Sequence, residues 1–148
     1  MRIHIGSDHA GFDFKKVIVS HLEKLGHEVI DHGPHVLDPL DDYPVFCIPA
    51  AQAVVADPGS LGIVLGGSGN GEQIAANKVK GVRAALAWSI DTAKLAREHN
   101  DANVLSIGGR MHSEEFCLQL VETFINTPFS NDERHIRRIK LVTDFENK

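Results

Sequence analysis

Short apolar runs alternate with longer segments of helical period along this chain, and that alternation narrows the choice of folds more than any other feature. "RIHIGS", "HEVIDHG", "LGIVL", "RAALAW" and "NVLSIGG" read as strands. Between the first two, Phe14, Val17, Ile18, Leu22 and Leu25 recur at i, i+3 or i+4, the stripe of an amphipathic helix. A helical pattern follows each later strand as well. Strand and helix in regular alternation call for a parallel sheet covered on both faces. At 148 residues the chain is long enough to bury a core and too short for two. The expectation is a single α/β domain over residues 1–148: a Rossmann-like three-layer αβα sandwich with a five-stranded parallel sheet and about five helices.

Ligands of such sheets bind beyond the carboxyl ends of the strands. Those ends are "GSDHAG" (6–11), "DHGPH" (31–35), "GGSGNGE" (66–72), "WSID" (88–91) and "GGRM" (108–111). The stretch "GPHVLDPLDDY" reads as a loop, with Pro44 opening the next helix.

The third strand end carries four glycines, Gly66, Gly67, Gly69 and Gly71, within six positions. A Walker A loop would continue with Gly-Lys-Ser/Thr; here Gly71 is followed by Glu72, whose charge repels a triphosphate. A dinucleotide fingerprint needs a third glycine where Glu72 stands. What remains is a nest of backbone N–H groups at a helix start, suited to negative charge on a ligand atom. Glu72 itself has two readings. Acidic residues suit the positive end of a helix dipole, and a carboxylate beside an oxyanion nest is also what proton abstraction next to a carbonyl requires.

Other candidates carry similar pairs of readings. Asp8 and His9 sit on a strand crest but also where an Asx turn would cap a helix. His99 and Asn100 end "SIDTAKLAREHN", where a histidine complements the dipole and an asparagine is a common left-handed stop. Arg110 follows the last strand. Arg134 and Arg138 share one helical face, with His135 and Arg137 beside them; the run is either a solvated face or, in an acidic protein, a phosphate site. Tyr43, the only tyrosine, either rims the pocket or packs. His32 and His35 lack a metal-type frame and read as loop histidines, so no metal is expected.

The net charge of −5 offers no overall basic field for nucleic acid or an anionic membrane. Cys47 and Cys117 lie in apolar contexts without redox or metal spacing and are expected as buried thiols. No run is long enough to span a bilayer, and the cytoplasm is the expected compartment.

Taken together, "GSDHAG", "DDYP", "GGSGNGE" and "REHNDANVLSIGGR" resemble the ribose-5-phosphate isomerase B family, which includes the galactose-6-phosphate isomerase subunits. The resemblance extends over essentially the whole chain. It implies a homodimer, with tetramers also open, whose active sites take residues from both subunits and need no metal or cofactor. The implied reaction interconverts an aldose phosphate and a ketose phosphate through an enediolate. Many members use a cysteine at the start of the glycine loop as base. This loop has no thiol and is similar to that of the subgroup with a glutamate at the loop's exit, here Glu72. By the same resemblance Ser68, Gly67, Gly69, Asn70 and Gly71 would hold the enediolate, while Asp8 and His9 would contact the sugar, with Tyr43 at the pocket. His99, beside Asn100, would assist ring opening. Arg134 and Arg138, with Arg110 and His135, would bind the phosphate.

Overall fold

Five parallel strands, β1 (Arg2–Ser7), β2 (Glu28–Asp31), β3 (Leu61–Gly66), β4 (Ala84–Leu86) and β5 (Val104–Gly108), form one sheet in the order β2-β1-β3-β5-β4. They belong to a computed structural model that describes residues 1–148. The helices are α1 (Phe12–Lys24), α2 (Pro44–Ala56), α3 (Asn70–Ala76), α4 (Ile90–Asn100), α5 (Glu114–Asn126) and α6 (Glu133–Glu146), one more than the strand–helix alternation requires. No helix is long and apolar enough to cross a membrane.

Alternate residues of the central strands face opposite layers, as the two-residue period of a strand demands. Ile3 and Ile5 of β1, Ile63 and Leu65 of β3, and Leu105 and Ile107 of β5 pack against Ile18 and Leu22 of α1, Ala93 of α4, and Leu120, Val121 and Phe124 of α5. On the other face Val64 and Val104 meet Cys47, Ala50, Ala51 and Val54 of α2. Small residues bring α2 close on that side: a Cβ at Gly6 would lie 2.6 Å from the Phe46 carbonyl oxygen, and one at Gly62 would lie 2.7 Å from Val54. Both cysteines are buried and free.

Pro44 stands in the first turn of α2, where a missing N–H costs nothing. In α1 the buried face is Phe12, Lys15, Ile18 and Leu22, and Leu25 is exposed. Lys15, only 1% exposed, donates to Asp31 Oδ1 and to the Pro34 carbonyl, both at 2.7 Å, so its charge is paired where an apolar stripe alone would exclude it. The left-handed stop of α4 is Asp101, with φ of 43°, and Asn100 is the last helical residue.

Sequential strands reverse direction of growth at β1 and β3: β2 lies on one side of β1, and β3, β5 and β4 on the other. A crevice opens at the carboxyl ends of the strands on either side of such a switch point. The loops after β1, β3 and β5 meet there. Because α4 runs back antiparallel to the strands, its last turn lies at the opposite end of the sheet, where Asp101–Asn103 lead into β5.

Candidate active site

The glycine loop is fixed by its neighbours rather than by side chains of its own. Gly109 N–H donates to the Gly66 carbonyl at 2.8 Å, and Arg110 N–H to that of Gly67 at 3.1 Å, so the loops after β3 and β5 are zipped together. The buried Ser106 hydroxyl donates to the Gly69 carbonyl at 2.7 Å. Gly69 takes φ of 82°, and a Cβ there would meet Leu86 at 2.6 Å. Gly71 is equally confined, since a Cβ would lie 2.6 Å from the Tyr43 ring. Helix α3 begins at Asn70, placing Glu72 in its first turn, two residues later than the helix starts.

The N–H groups of Gly67, Ser68 and Gly71 donate to no backbone carbonyl, leaving them available to an oxygen in the crevice. Asn70 N–H is taken by the Ser68 hydroxyl at 3.2 Å. Asp8, His9, Ala10, Tyr43, Gly67, Ser68, Gly71, Glu72, Arg110 and Met111 line an open cleft of about 530 Å³. A larger hollow of about 690 Å³ lies at the other end of the sheet, but its two arginines, Arg83 and Arg97, are already bound to Asp101 and to main-chain carbonyls.

Glu72 is 4% exposed. Burial pushes its carboxyl above the ordinary carboxylate range, and the nearby Asp8 charge adds to the shift; the N–H groups of Glu72 and Gly69 oppose it. An ionisable carboxyl in a cleft that unpartnered amides also line is an arrangement for moving a proton while holding charge on oxygen.

Asp8 Oδ1 accepts from the N–H groups of Ala10 and Gly11 at 2.8 and 3.3 Å, so it caps the turn after β1 while lining the cleft. Asp41, which the sequence did not single out, accepts on Oδ1 from His9 N–H at 2.9 Å and faces His9 Nδ1 at 2.7 Å. That bond raises the His9 imidazole above its usual value, with Asp8 assisting and burial and Arg110 opposing. Asp8, His9 and Asp41 each bring a ligand-type atom within 4.8 Å of the others; of their polar atoms, His9 Nδ1 and Asp41 Oδ1 are engaged with each other and Asp8 Oδ1 with amides.

The remaining candidates form a second cluster. His135 is buried at the start of α6, its ring 4.3 Å from that of His99 and its Nδ1 2.7 Å from the Ser130 hydroxyl. Burial lowers its imidazole, and the neighbouring His99 and Arg134 lower it further. Arg134 and Arg138 project from the same helix and are exposed, and Asn100 closes α4 nearby. This group gathers at the amino ends of the strands, a strand length or ~17 Å from the Glu72 cleft. Within one chain, Arg110 joins Glu72 and the other proposed phosphate ligands do not.

The family model described as Ribose/Galactose Isomerase matches residues 3–142. The chain belongs to that family. Among ribose/galactose isomerases it is 60% identical to ribose-5-phosphate isomerase B of Mycolicibacterium paratuberculosis, over 99% of this chain and 92% of the relative. It is 59% identical to the Mycobacterium tuberculosis H37Rv protein of the same name, over 99% and 90%. Among solved structures, ribose-5-phosphate isomerase B of Clostridium thermocellum aligns with a TM-score of 0.95 at 41% identity, covering 99% of this chain and 98% of that one. The Mycoplasma genitalium enzyme, solved with bound ribulose-5-phosphate, aligns equally well at 40% identity over 99% and 97%.

Proposed function

We propose that this chain interconverts ribose 5-phosphate and ribulose 5-phosphate, with Glu72 as the base. The observation that carries this reading is the buried Glu72 carboxyl at a cleft bordered by three unpartnered amides, in a chain closely similar to proteins named for that activity. The sugar ring first opens with help from His99. Glu72 takes the proton on C2, the electron pair of that bond becomes the C1–C2 double bond of an enediolate, and the loop amides with Ser68 hold the oxygen charge. Return of the proton to C1, with the C2 hydroxyl proton passing to O1, completes the ketose. Burial suits Glu72 to this work because a carboxylate poised above its ordinary range is a stronger base.

The same reading requires a homodimer, since His99, Arg134, His135 and Arg138 lie at the far end of the sheet from Glu72. A two-fold axis pairs one patch with another and the second with the first. Here it would set the amino-end cluster of one subunit on the carboxyl-end cleft of the other. The exposed apolar side chains support that pairing. Val36, Leu37, Leu40 and Met111 surround the cleft end, and Ile136, Leu141, Val142 and Phe145 line α6; Leu40 is 87% exposed and Phe145 75%. Joining the two ends would cover both sets.

The test is a panel of four-, five- and six-carbon aldose and ketose phosphates incubated in deuterium oxide. Conversion of ribose 5-phosphate with deuterium entering C1 or C2 is expected. Turnover confined to a tetrose or hexose phosphate would move the substrate assignment, and binding without exchange would make the chain a sugar-phosphate binder.

A further inference from the structure

Asp41 stands out as a charged group that the proton transfer itself does not employ. It lies in the loop between β2 and α2, 32 residues from His9, yet one of its oxygens serves both the main-chain N–H and the ring of that histidine. Its side chain is only 7% exposed, and its other oxygen, Oδ2, is buried with no hydrogen-bond partner. A loop tether alone does not account for that second oxygen. A hydroxyl or amide would hold the loop without leaving a carboxylate oxygen unsatisfied, which is costly in a buried place. The negative charge itself therefore has a use, and the group it faces is the His9 imidazole.

We infer that Asp41 is a positioning residue for the sugar site: it holds the His9 ring by Nδ1–H and leaves Nε2 as the nitrogen that meets a substrate oxygen. The inference rests on the isomerase reading for its substrate and on geometry for the rest. His9 lines the cleft with Glu72, and no protein group occupies its Nε2. A carboxylate behind an imidazole selects the tautomer, fixes the ring plane and favours the imidazolium. The charged groups facing His9 are Asp41 from the loop, Asp8 from its own turn and Arg110 from the turn after β5. Asp41 and Asp8 favour the protonated ring and Arg110 disfavours it, so the ring donates through Nε2–H while it stays protonated. As pH rises and the proton on Nε2 is lost, Nε2 becomes an acceptor.

The experiment has two arms. In the intact protein, nitrogen-15 spectra of His9 are expected to show Nδ1 protonated throughout the titration, with the ring losing its second proton above the ordinary histidine value. A neutral ring protonated on Nε2 overturns the inference, and this reading needs no substrate, so it stands apart from whether ribose 5-phosphate is turned over. The second arm is a double-mutant cycle with ribose 5-phosphate. Asp41→Asn keeps the size and an acceptor oxygen but removes the charge. It is expected to lower kcat/KM by roughly 10- to 100-fold, the order seen where a carboxylate orients a metal-bound histidine, and to lower the His9 pKa. In a His9→Gln background the same change should cost almost nothing more, because both substitutions act through one ring. An Asp41→Asn enzyme with the activity of the parent, or an equal loss with His9 already replaced, rejects the role.

Discussion

The carboxylate of Glu72 fills the space that a side chain on Gly66 would occupy: a Cβ built there would fall inside the carboxyl group. The glycine therefore makes room for the base as well as for the turn. Gly66→Ala leaves the strand backbone able to bond Gly109 but forces the carboxyl aside. Because a displacement of about 1 Å in a reacting group costs on the order of 100-fold in rate, kcat should fall by about that factor. Inorganic phosphate should bind as before, which calorimetry reads directly; unchanged kcat would show that Glu72 has no fixed working position.

Burial raises the Glu72 carboxyl, and the sign of its effect on stability follows. Between the ordinary carboxylate range and the raised value, the folded chain holds a proton that the unfolded chain has lost, so stability falls as pH rises through that window. Above the raised value the full cost of a buried charge is present. Glu72→Gln should consequently melt a few degrees higher than the parent at neutral pH, and the gap should close as pH falls below the ordinary carboxylate range. Thermal melts across pH check this, and an equal or lower melting temperature at neutral pH contradicts it.

The same shift places the acid limb of kcat/KM above the ordinary carboxylate range, since only ionised Glu72 can take a proton. A pH profile with ribose 5-phosphate measures it. A limb left unchanged in Glu72→Asp, or one lying at ordinary carboxylate values in the parent, would assign the limb elsewhere.

Two inactive proteins should restore each other if the site is shared. In a 1:1 mixture of Glu72→Gln and His99→Asn chains, half the dimers are mixed, and one of the two sites in each keeps both residues. Random exchange then yields about a quarter of the parent activity. If Glu72 and His99 act within one chain, the mixture stays inactive.

Removing the Arg138 guanidinium should act on binding. A charge-assisted hydrogen bond worth about 1.5–3 kcal/mol corresponds to a roughly 10- to 150-fold rise in KM for Arg138→Ala. An unchanged KM would make the exposed arginine run a solvated face.

Much of this architecture is legible in the chain because its signals are local. The period-two strands, Pro44 at a helix start and the glycine-rich exit of β3 each announce themselves within a few residues. The opposed placement of Glu72 and His99 follows from parallel topology, since a helix after a parallel strand must end at the strands' amino side. Asp41 does not show itself: it sits among Asp38 and Asp42 in a loop without period, and only the folded chain selects which acid meets His9. The burial of Lys15 is hidden for a related reason. Its charge is paired with Asp31 at the end of β2, and its ammonium also donates to the Pro34 carbonyl, partners that no helical pattern can anticipate. The strand order, with β5 inserted between β3 and β4, depends on long-range pairing that periodicity does not encode.

Glu72→Gln with ribose 5-phosphate in deuterium oxide tests the proposed base most directly. The expected result is a loss of turnover and of carbon-bound exchange by several orders of magnitude, with phosphate affinity within a few-fold of the parent. Turnover and exchange near the parent rate would show that another group moves the proton.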